Sequence, residues 1–402
     1  MTTNNKNIDK QGKKLLNVPN LRFPEFEGEW EKMKLKDVCS FFSGGTPSST
    51  NKSYYDGDIP FIRSGEIGAG STELFLSELG LNNSSAKIVE VGDLLLALYG
   101  ATSGQIAISK IKGAINQAIL CIRSSHNNVF FKSTWEKRVG KILQAFLQGG
   151  QGNLSAEIVK SLTFYFPKMQ EQNKIAYLIS LIEERIETQS RIIEDLKQLR
   201  SAITNRIIYN LVADKKLVPF SEIYQMAGEG GTPNTNNRQY YEGGTIPFIK
   251  IDDLSSKYLT RNKDFITEIG LQKSSAWVIP ANSLIYSNGA TIGAVSINTY
   301  KVVTKQGILG IVPKSTVCVE YLYYLTTSTF FKKQIHRIIT YGTMTTAYLK
   351  DINKIKVPLP DIEEQNKVIK GLITLSEKIE KEQEILANFQ AQKKYLLHQM
   401  FI

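Results

Sequence analysis

The residues best placed to do chemistry lie in a short polar turn that the sequence contains twice. Gly44–Pro47 is Gly-Gly-Thr-Pro and is followed by a pair of tyrosines, and Gly230–Pro233 repeats both features. Backbone amides, a threonine hydroxyl and tyrosines in such a turn could hydrogen-bond a phosphate or stack beside a base. The alternative is a purely structural turn, in which glycine supplies a positive φ and proline fixes the next residue.

Polar and basic side chains beside the two turns extend the candidate binding set. They differ between the copies, as two modules that read different base sequences would require, although drift of a solvated surface would produce the same differences. A second Gly/polar segment precedes the last strand of each copy, over residues 148–153 and 340–346. It lacks the Lys-Ser/Thr ending of a phosphate-binding loop, and its amide and hydroxyl groups suit base edges or phosphates, with a loop that binds nothing as the alternative. The candidate nucleic-acid-binding residues are Thr46, Asn51, Lys52, Tyr54, Arg63, Gln151 and Asn153 in the first copy, and Thr232, Asn237, Arg238, Tyr240, Lys250, Thr343 and Thr345 in the second.

Catalytic chemistry has no recognisable set of residues in this sequence. It contains no glycine-rich cofactor loop, no Asn/Asp-Pro-Pro-aromatic pocket for a target base, no nucleophile elbow and no Walker pair. His126, His336 and His398 fall at unmatched places in the two copies, so we interpret them as surface or core residues. We therefore expect this chain to have no catalytic residue, no metal site and no cofactor of its own.

The duplication covers the whole chain, since Ile-Pro-Phe-Ile, Ser-Ser-Ala, Gly-Ala-Thr and Glu-Gln-Asn-Lys also recur in the same order. A period of nearly 200 residues indicates a duplicated domain. The net charge is +11, and residues 31–170 carry 15 Lys+Arg against 11 Asp+Glu, while residues 213–360 carry 17 against 10. The positive surplus lies in the two copies and favours a polyanionic partner such as nucleic acid.

Each copy predicts a mixed α/β module followed by a long helix. Apolar runs broken by a turn, over residues 93–109 and 282–297, predict a β-hairpin in each module, and helices are expected at Phe130–Leu147 and Val319–Ile339. We predict a polar tail at 1–17, modules at 18–167 and 213–360, and long helices at 168–212 and 361–402.

The two long helices carry apolar residues at alternating steps of four and three, which predicts a coiled-coil seam. The polar interruptions Gln189 and Arg200 fall at the same places as Glu382 and Lys393, and the first seam is expected to continue to Ile207. Packing of each helix on its own module is the alternative, but the sustained heptads favour an intramolecular antiparallel pair. The seam residues are Ile175, Ile179, Ile182, Ile186, Ile193, Leu196, Val368, Leu372, Leu375, Ile379, Leu386 and Phe389.

Short sequence patterns predict where the long helices begin and in which cellular compartment the protein lies. Asp361 followed by Glu364 predicts a capping box at the second helix, whereas Lys168 replaces the cap in the first, so its first turn is expected to be looser. The three cysteines lack metal-ligand spacing and are expected to be reduced thiols. No apolar run is long enough to span a bilayer, and the first residues contain no apolar leader, so we expect a cytoplasmic protein without membrane contact.

The sequence resembles the specificity subunit of type I restriction-modification systems from about residue 18 to 402. The resemblance rests on the order of its motifs: residues 18–30 (Val-Pro-Asn-Leu-Arg-Phe-Pro-Glu-Phe-Glu-Gly-Glu-Trp), the repeated Gly-Gly-Thr-Pro with Ile-Pro-Phe-Ile, and Pro-x-x-x-Glu-Gln before each long helix. It implies two target recognition domains, each reading one half of a split double-stranded DNA site, without catalytic activity in this chain.

The resemblance also implies partners. These are two adenine-specific methyltransferase subunits that bind S-adenosylmethionine, and restriction/translocase subunits that use ATP and Mg. The nearest alternative is the recognition subunit of another restriction-methylation enzyme, whose partner chain fuses methylation and cleavage. A stand-alone nuclease or methyltransferase lacks support in the motifs, and the positive charge of both modules disfavours a coiled-coil protein that binds only proteins.

Overall fold

The chain divides into two compact units, each built on one copy of the repeat. The computed structural model describes residues 17–146, 153–340 and 345–402. The first unit contains residues up to Ser190 together with Glu384–Ile402, and the second contains Arg191–Gln383. Each unit therefore includes one α/β module and a stretch of both long helices.

The strands of the first unit, in the part that the structure describes, form two four-stranded sheets and one two-stranded sheet. They are β1 (Glu31–Lys34), β2 (Cys39–Ser43), β3 (Ile59–Ile62), β4 (Leu74–Leu76), β5 (Lys87–Val89), β6 (Leu94–Ala97), β7 (Ile106–Ile108), β8 (Gly113–Ile115), β9 (Ile119–Ser124) and β10 (Thr163–Phe166). The strand orders are β2-β9-β6-β7, β4-β3-β8-β5 and β1-β10. All pairs are antiparallel except β3 with β8.

The second unit repeats this arrangement with one added short strand, while the strand equivalent to β5 is reduced to a single bridge between Ile279 and Val302. Its strands are β11 (Leu217–Pro219), β12 (Tyr224–Glu229), β13 (Ile246–Ile249), β14 (Tyr258–Leu259), β15 (Asp264–Ile266), β16 (Leu284–Ser287), β17 (Val295–Asn298), β18 (Val303–Thr304), β19 (Ile308–Pro313) and β20 (Lys356–Pro358). The orders are β12-β19-β16-β17-β14, β15-β13-β18 and β11-β20. The addition is β14, which pairs in parallel with β17 at the edge of the larger sheet.

The predicted hairpins are confirmed, since β6 pairs with β7 and β16 with β17, both antiparallel. The apolar run of β6 is continuous because both faces of its sheet are covered. Leu94 and Leu96 pack in the cluster that contains Trp135, whereas Leu95 packs with Ile62 of β3 and Ile115 of β8. The β2-β9-β6-β7 sheet is thus held between helices and the β4-β3-β8-β5 sheet.

The helices of the modules agree with the predictions except at one break. The helices are α1 (Leu35–Val38), α2 (Glu78–Asn82), α3 (Asn128–Phe146), α4 (Ala156–Ser161), α5 (Met169–Asp214), α6 (Glu268–Gln272), α7 (Val319–Thr327), α8 (Thr329–Ile338), α9 (Leu349–Ile352) and α10 (Ile362–Met400). A single helix over Val319–Ile339 was wrong, because Ser328 is extended and its hydroxyl caps α8 by accepting from the Phe331 amide at 3.2 Å.

The two long helices begin differently. Asp361 caps α10 as predicted, since its carboxylate accepts from the Glu364 amide at 2.8 Å. The first turn of α5 was expected to be looser, and this was wrong. Glu171 in that turn is 2% exposed, and both of its oxygens accept from the Arg22 guanidinium at 2.7 Å. Arg22, in the segment before β1, therefore stabilises the first turn of α5, which lacks an N-cap.

Within each unit, α5 and α10 pack antiparallel, which confirms the predicted pairing. In the first unit Glu183 lies 2.6 Å from Lys393, and Arg185, further along α5, lies over the ring of Phe389, earlier in α10. In the second unit Arg200 lies 3.2 Å from Ser376, and Lys215 lies 2.7 Å from Glu364. As the residue number increases along α5, the number of the contacting residue in α10 decreases, so the two helices run antiparallel.

The predicted seam residues are all buried or half-buried in the structure. The seam differs from the prediction toward the end of α5. Ile203 is 38% exposed, and Thr204, Ile208 and Leu211 are buried instead. The straight heptad therefore gives way to a different buried face where α5 packs on its module.

The remaining sequence-level expectations concern isolated residues. His126 stacks on Phe166 and lies beside Gln172, while His336 and His398 are exposed. Burial raises the pKa of Cys121 to about 12, so this thiol is protonated at neutral pH. Among the described residues, no helix has the length and hydrophobicity needed to cross a bilayer.

Candidate nucleic-acid interface

Several of the repeated motifs meet at one end of the equivalent sheet in each unit, which is β2-β9-β6-β7 in the first and β12-β19-β16-β17-β14 in the second. There the carboxyl ends of β2 and β6 lie beside the amino ends of β9 and β7, as the pairs Ser43–Leu120 and Ala97–Ile119 define. We call this end the turn edge. In the first unit it contains the turns 44–47, 98–105 and 116–118, and in the second the turns 230–233, 288–294 and 305–307.

Backbone hydrogen bonds hold the turns of each edge together. The Leu98 amide donates to the Ala118 carbonyl at 2.8 Å, and in the second unit the Asn288 amide donates to the Gly307 carbonyl at 3.0 Å. The turn edge is therefore the same construction in both units, formed by residues that are far apart in the sequence.

The glycine pair of each Gly-Gly-Thr-Pro turn is required for close packing. The positive φ of the structural alternative is not observed, because the left-handed residues in the described chain do not include these glycines. A Cβ on Gly44 would lie 1.7 Å from the Ile115 carbonyl oxygen, and one on Gly230 would lie 2.0 Å from that of Thr304. The next amide in each turn is already used, because Gly45 and Gly231 donate to those same carbonyls at 3.2 and 3.0 Å.

One tyrosine of each pair has a structural role. The second tyrosine ties down the turn, since Tyr55 donates to the Pro47 carbonyl at 2.7 Å and Tyr241 to the Pro233 carbonyl at 2.6 Å. The first tyrosines, Tyr54 and Tyr240, are the predicted binding residues. Both are half-buried, and their carbonyls accept from the Ser77 and Thr267 amides at 3.0 and 2.9 Å.

The threonines of the turns each lie beside an exposed glutamine that the motif analysis missed. Thr46 donates to the Gln117 side chain at 2.6 Å. In the second unit the hydroxyl of Thr232 accepts from the backbone N–H of Gln306 at 3.2 Å, and all four side chains are exposed. The two glutamines are separated by 189 residues, so the repeat itself was the signal that could have found them.

The residues after each turn are partly committed to local structure. The amide oxygens of Asn51 and Asn237 accept from the backbone two residues ahead, at 3.2 and 3.1 Å, and cap the short 3-10 turns at Lys52–Tyr54 and Arg238–Tyr240. The side chains of Lys52 and Arg238 are exposed. The asparagine oxygens are therefore engaged, and Arg238 lies 3.8 Å from Glu242 in an exposed ion pair.

The predicted binding residues Arg63 and Lys250 are held by carboxylates. Arg63 lies 3.1 Å from Glu66 and 2.5 Å from Glu73, and Lys250 lies 2.8 Å from Asp264. Hydrogen bonds that Arg63 donates to Glu66 and Glu73 raise the pKa of Arg63. The positive charge at these two positions is already compensated, which weakens their case as phosphate ligands.

The second Gly/polar segment reaches the turn edge in the second unit. Gln151 and Thr343 lie outside the described residues. The Thr345 carbonyl accepts from the Ala290 amide at 3.2 Å, next to the Gly-Ala-Thr turn. In the first unit Asn153 is exposed, and the following Leu154 donates its amide to the Leu98 carbonyl at 2.9 Å.

The two turn edges differ most at one buried position. Leu98 and Asn288 make equivalent backbone bonds, to residues 118 and 307, but one side chain is apolar and the other an amide. Asn288 is fully buried, and among the described residues its side-chain oxygen has no hydrogen-bond partner. The first unit has an additional residue here, Tyr99, which is 40% exposed.

A duplicated α/β module that presents an exposed polar turn edge on each copy defines a two-module recognition protein. The family model described as type I restriction modification DNA specificity domain matches residues 27–198 and again residues 213–389. The chain therefore belongs to the DNA specificity subunit family of type I restriction-modification systems.

Relatives agree with this membership, and a solved structure shares the fold. The type I restriction enzyme MjaIX specificity subunit of Methanocaldococcus jannaschii is 32% identical over 361 residues, covering 83% of each chain. The MjaVIII specificity subunit of the same organism is 22% identical and covers 90% of this chain and 88% of its own. The crystal structure of a type I restriction-modification S subunit from M. genitalium has a TM-score of 0.57 at 16% identity, covering 96% of this chain and 99% of that one.

Proposed function

We propose that this chain is the DNA-recognition subunit of a type I restriction-modification complex, and that each unit reads one half of a bipartite double-stranded target. The observation that carries the proposal is the pair of equivalent turn edges, each with an exposed threonine beside an exposed glutamine. Two similar reading surfaces on one chain suit a target that is itself in two parts.

The side chains at the turn edge suit direct reading of bases. Glutamine can donate to and accept from an adenine edge at the same time, and threonine can contact either kind of base pair. Lys52 and Arg238 supply exposed cations for the phosphate backbone, which contributes affinity without sequence information. We assign Arg63 and Lys250 to the framework because carboxylates already hold them.

The chain then supplies recognition, and its partners supply the chemistry. Two methyltransferase subunits with S-adenosylmethionine would modify adenine, and restriction subunits with ATP and Mg would translocate and cut DNA. The paired long helices are the part of the chain that we expect these subunits to contact. Methyl transfer by the chain freed of all partner subunits would contradict this division.

The long helices set the gap between the two halves of the proposed target. Residues 175–207 of α5 correspond to about 48 Å at about 1.5 Å per residue, or about 14 base pairs at about 3.4 Å each. We expect half-site centres about 10 to 14 base pairs apart, so both units approach one side of the duplex. Seven residues inserted after Gln189, with seven after the equivalent Glu382, should lengthen the gap by about 3 base pairs.

The test is a map of methylated adenines made with the chain in its methyltransferase complex. Thr46→Val with Gln117→Ala changes the first turn edge, and Thr232→Val with Gln306→Ala is the matched variant of the second. Each should relax sequence preference in one half of the target by about 1–3 kcal/mol per lost base contact, and leave the other half unchanged.

Two results would count against the proposal. One is a target that forms a single continuous block, or whose half-site centres lie more than two helical turns apart. The other is a single-edge variant that alters both halves together, because the units would then not read independently.

A further inference from the structure

The two units can be aligned residue by residue around their long helices. The Asn127 amide donates to the Gln172 side chain at 3.1 Å, and the Cys318 amide donates to the equivalent Gln365 at 2.8 Å. These equivalent bonds align α7 of the second unit with α3 of the first, and the start of α10 with the start of α5. On this alignment Lys132, Glu136, Glu183 and Lys393 of the first unit correspond to Tyr323, Thr327, Ser376 and Arg200 of the second.

In the first unit these four residues form a closed ion network. Lys132 lies 2.5 Å from Glu183 and 3.3 Å from Glu136, and Lys393 lies 2.6 and 2.8 Å from the same two carboxylates. Burial opposes ionisation of Glu183, but hydrogen bonds from Lys132 and Lys393 outweigh it and lower its pKa. Two cations face two anions, so the site carries no net charge.

The second unit keeps a cation at this place and has lost both carboxylates. Arg200 is half-buried and donates to the Ser376 hydroxyl at 3.2 Å, and that hydroxyl lies 2.9 Å from the hydroxyl of Tyr324. Two more cations, Lys197 and Lys332, line the same cavity, whose volume is about 200 Å³. Among the described residues, its lining includes no carboxylate.

A further positive charge lies behind the cavity wall. Lys257 is 5% exposed, and its ammonium group lies 3.3 Å from the Tyr324 hydroxyl and over the ring of Tyr323. Burial lowers the pKa of this lysine. Glu320 and Glu380 act on Lys257 through their charge, and Glu320 accepts from the hydroxyl of Tyr258 at 3.2 Å.

We propose that this cavity binds a phosphate group. A guanidinium matches two oxygens of a phosphate, two lysines add point charges, and hydroxyl groups can serve the remaining oxygens. The anion would replace the two carboxylates that compensate the same place in the first unit. The phosphate could be a DNA backbone group or a free phosphate, and these two sources share the same chemistry.

The duplication provides the test of the cavity itself. Inorganic phosphate is titrated into the full chain and followed by calorimetry and by thermal unfolding, since a ligand of the folded state raises the melting temperature. Arg200→Gln and Lys332→Gln should each weaken phosphate binding at least tenfold. Lys141→Gln, which changes the residue of the first unit equivalent to Lys332, is the matched control and should leave binding unchanged.

The reverse substitution guards against a variant that merely misfolds. Thr327→Glu with Ser376→Glu places the carboxylates of the first unit in the second. This variant should lose phosphate binding and keep or raise its melting temperature without phosphate, because Arg200 gains internal partners. Saturable phosphate binding that survives both this variant and Arg200→Gln would overturn the proposal, as would its absence in the unaltered chain.

A second arm separates the two sources of phosphate. Binding of a duplex without the target sequence is measured across a salt series for the unaltered chain and for Arg200→Gln. If a backbone phosphate occupies the cavity, Arg200→Gln should reduce the slope of log binding constant against log salt concentration by about 1. Inorganic phosphate should then compete with DNA. If the slope is unchanged while phosphate binding is lost, the ligand is a free phosphate. A chain that failed to read any target would still bind phosphate here, so this proposal and the recognition function can fail separately.

Discussion

The starts of the two long helices share the sequence Glu-Gln-Asn-Lys and differ in the partner of its glutamate. Gln172 and Gln365 are both buried, and each donates to the carbonyl of the proline that precedes its helix at 2.8 Å. The adjacent carboxylates are used differently. Glu171 is buried against Arg22, whereas Glu364 is partly exposed and pairs with Lys215.

The difference shows which contacts are retained in both copies of a duplicated fold. The two glutamines bond mainly to backbone atoms, which both copies present in the same place, so the contact persists. The two glutamates bond to side chains, which each copy has changed independently. A contact with backbone atoms is therefore retained in both units, whereas a contact with another side chain can differ even where the residue itself is identical.

The largest contrast is expected at these two carboxylates. Glu171→Gln leaves the Arg22 guanidinium nearly buried without its anion, and should reduce the free energy of unfolding by about 3 kcal/mol. Glu364→Gln removes only an exposed partner of Lys215 and should change stability little. Urea unfolding, with hydrogen exchange to assign the loss to a unit, measures both, and equal effects would contradict the distinction.

A second contrast concerns glycines within the turn edge. Gly44→Ala and Gly230→Ala drive a methyl group into a backbone carbonyl, and each should cost on the order of 3 kcal/mol, as severe overpacking does. Gly100→Ala has no atom within 4 Å of the new Cβ and a φ of +76°, so it should cost only about 1 kcal/mol. If Gly44→Ala proved as mild as Gly100→Ala in thermal unfolding, close packing would not explain the motif.

A third contrast exchanges the buried position of the turn edges. Asn288→Leu removes a side-chain oxygen without a partner among the described residues and places there the side chain that Leu98 has in the first unit. We expect a gain of about 1 kcal/mol, since the relief exceeds the loss of one hydrogen bond to the Ala347 carbonyl at 3.2 Å. A lower free energy of unfolding for Asn288→Leu, measured in urea, would show that both polar atoms of the Asn288 side chain are hydrogen-bonded.

The smallest contrast is expected in how stability depends on pH at the site of Glu183, because the equivalent site of the second unit has Ser376. The pKa of Glu183 is lowered, so its stabilisation is present above the unfolded value of about 4.3 and is lost as pH falls through the folded value. Ser376 in the second unit cannot titrate in this range. Hydrogen exchange at pH 6 and pH 3.5 should show greater weakening of the first unit near this site, and Glu183→Gln should remove that extra acid dependence.

The sequence predicted the parts of the fold that depend on local pattern or on the repeat. The hairpins, the capped start of α10 and the antiparallel helices all follow from periodicity and spacing. The break at Ser328 was missed because the apolar pattern continues through it, and the buried Glu171 was missed because its partner Arg22 is 149 residues away.

The candidate site was predicted less completely than the fold. The turns were located, but which of their atoms are free depends on partners brought by tertiary structure. Arg63 and Lys250 are typical phosphate ligands by residue type, and only the structure shows that Glu66 and Asp264 hold them. Gln117 and Gln306 became recognisable once each lay beside a repeated threonine.

The composition of the first unit has a consequence for the order of events during synthesis. Its hydrophobic core includes Leu396, Met400 and Phe401, and the Leu21 amide donates to the Gln399 carbonyl at 2.9 Å. The ribosome makes these residues after every residue of the second unit, which is continuous from 191 to 383. The module translated first therefore waits for its final core side chains until the other has emerged, and during that interval it is the part of the nascent chain most exposed to chaperones and proteases.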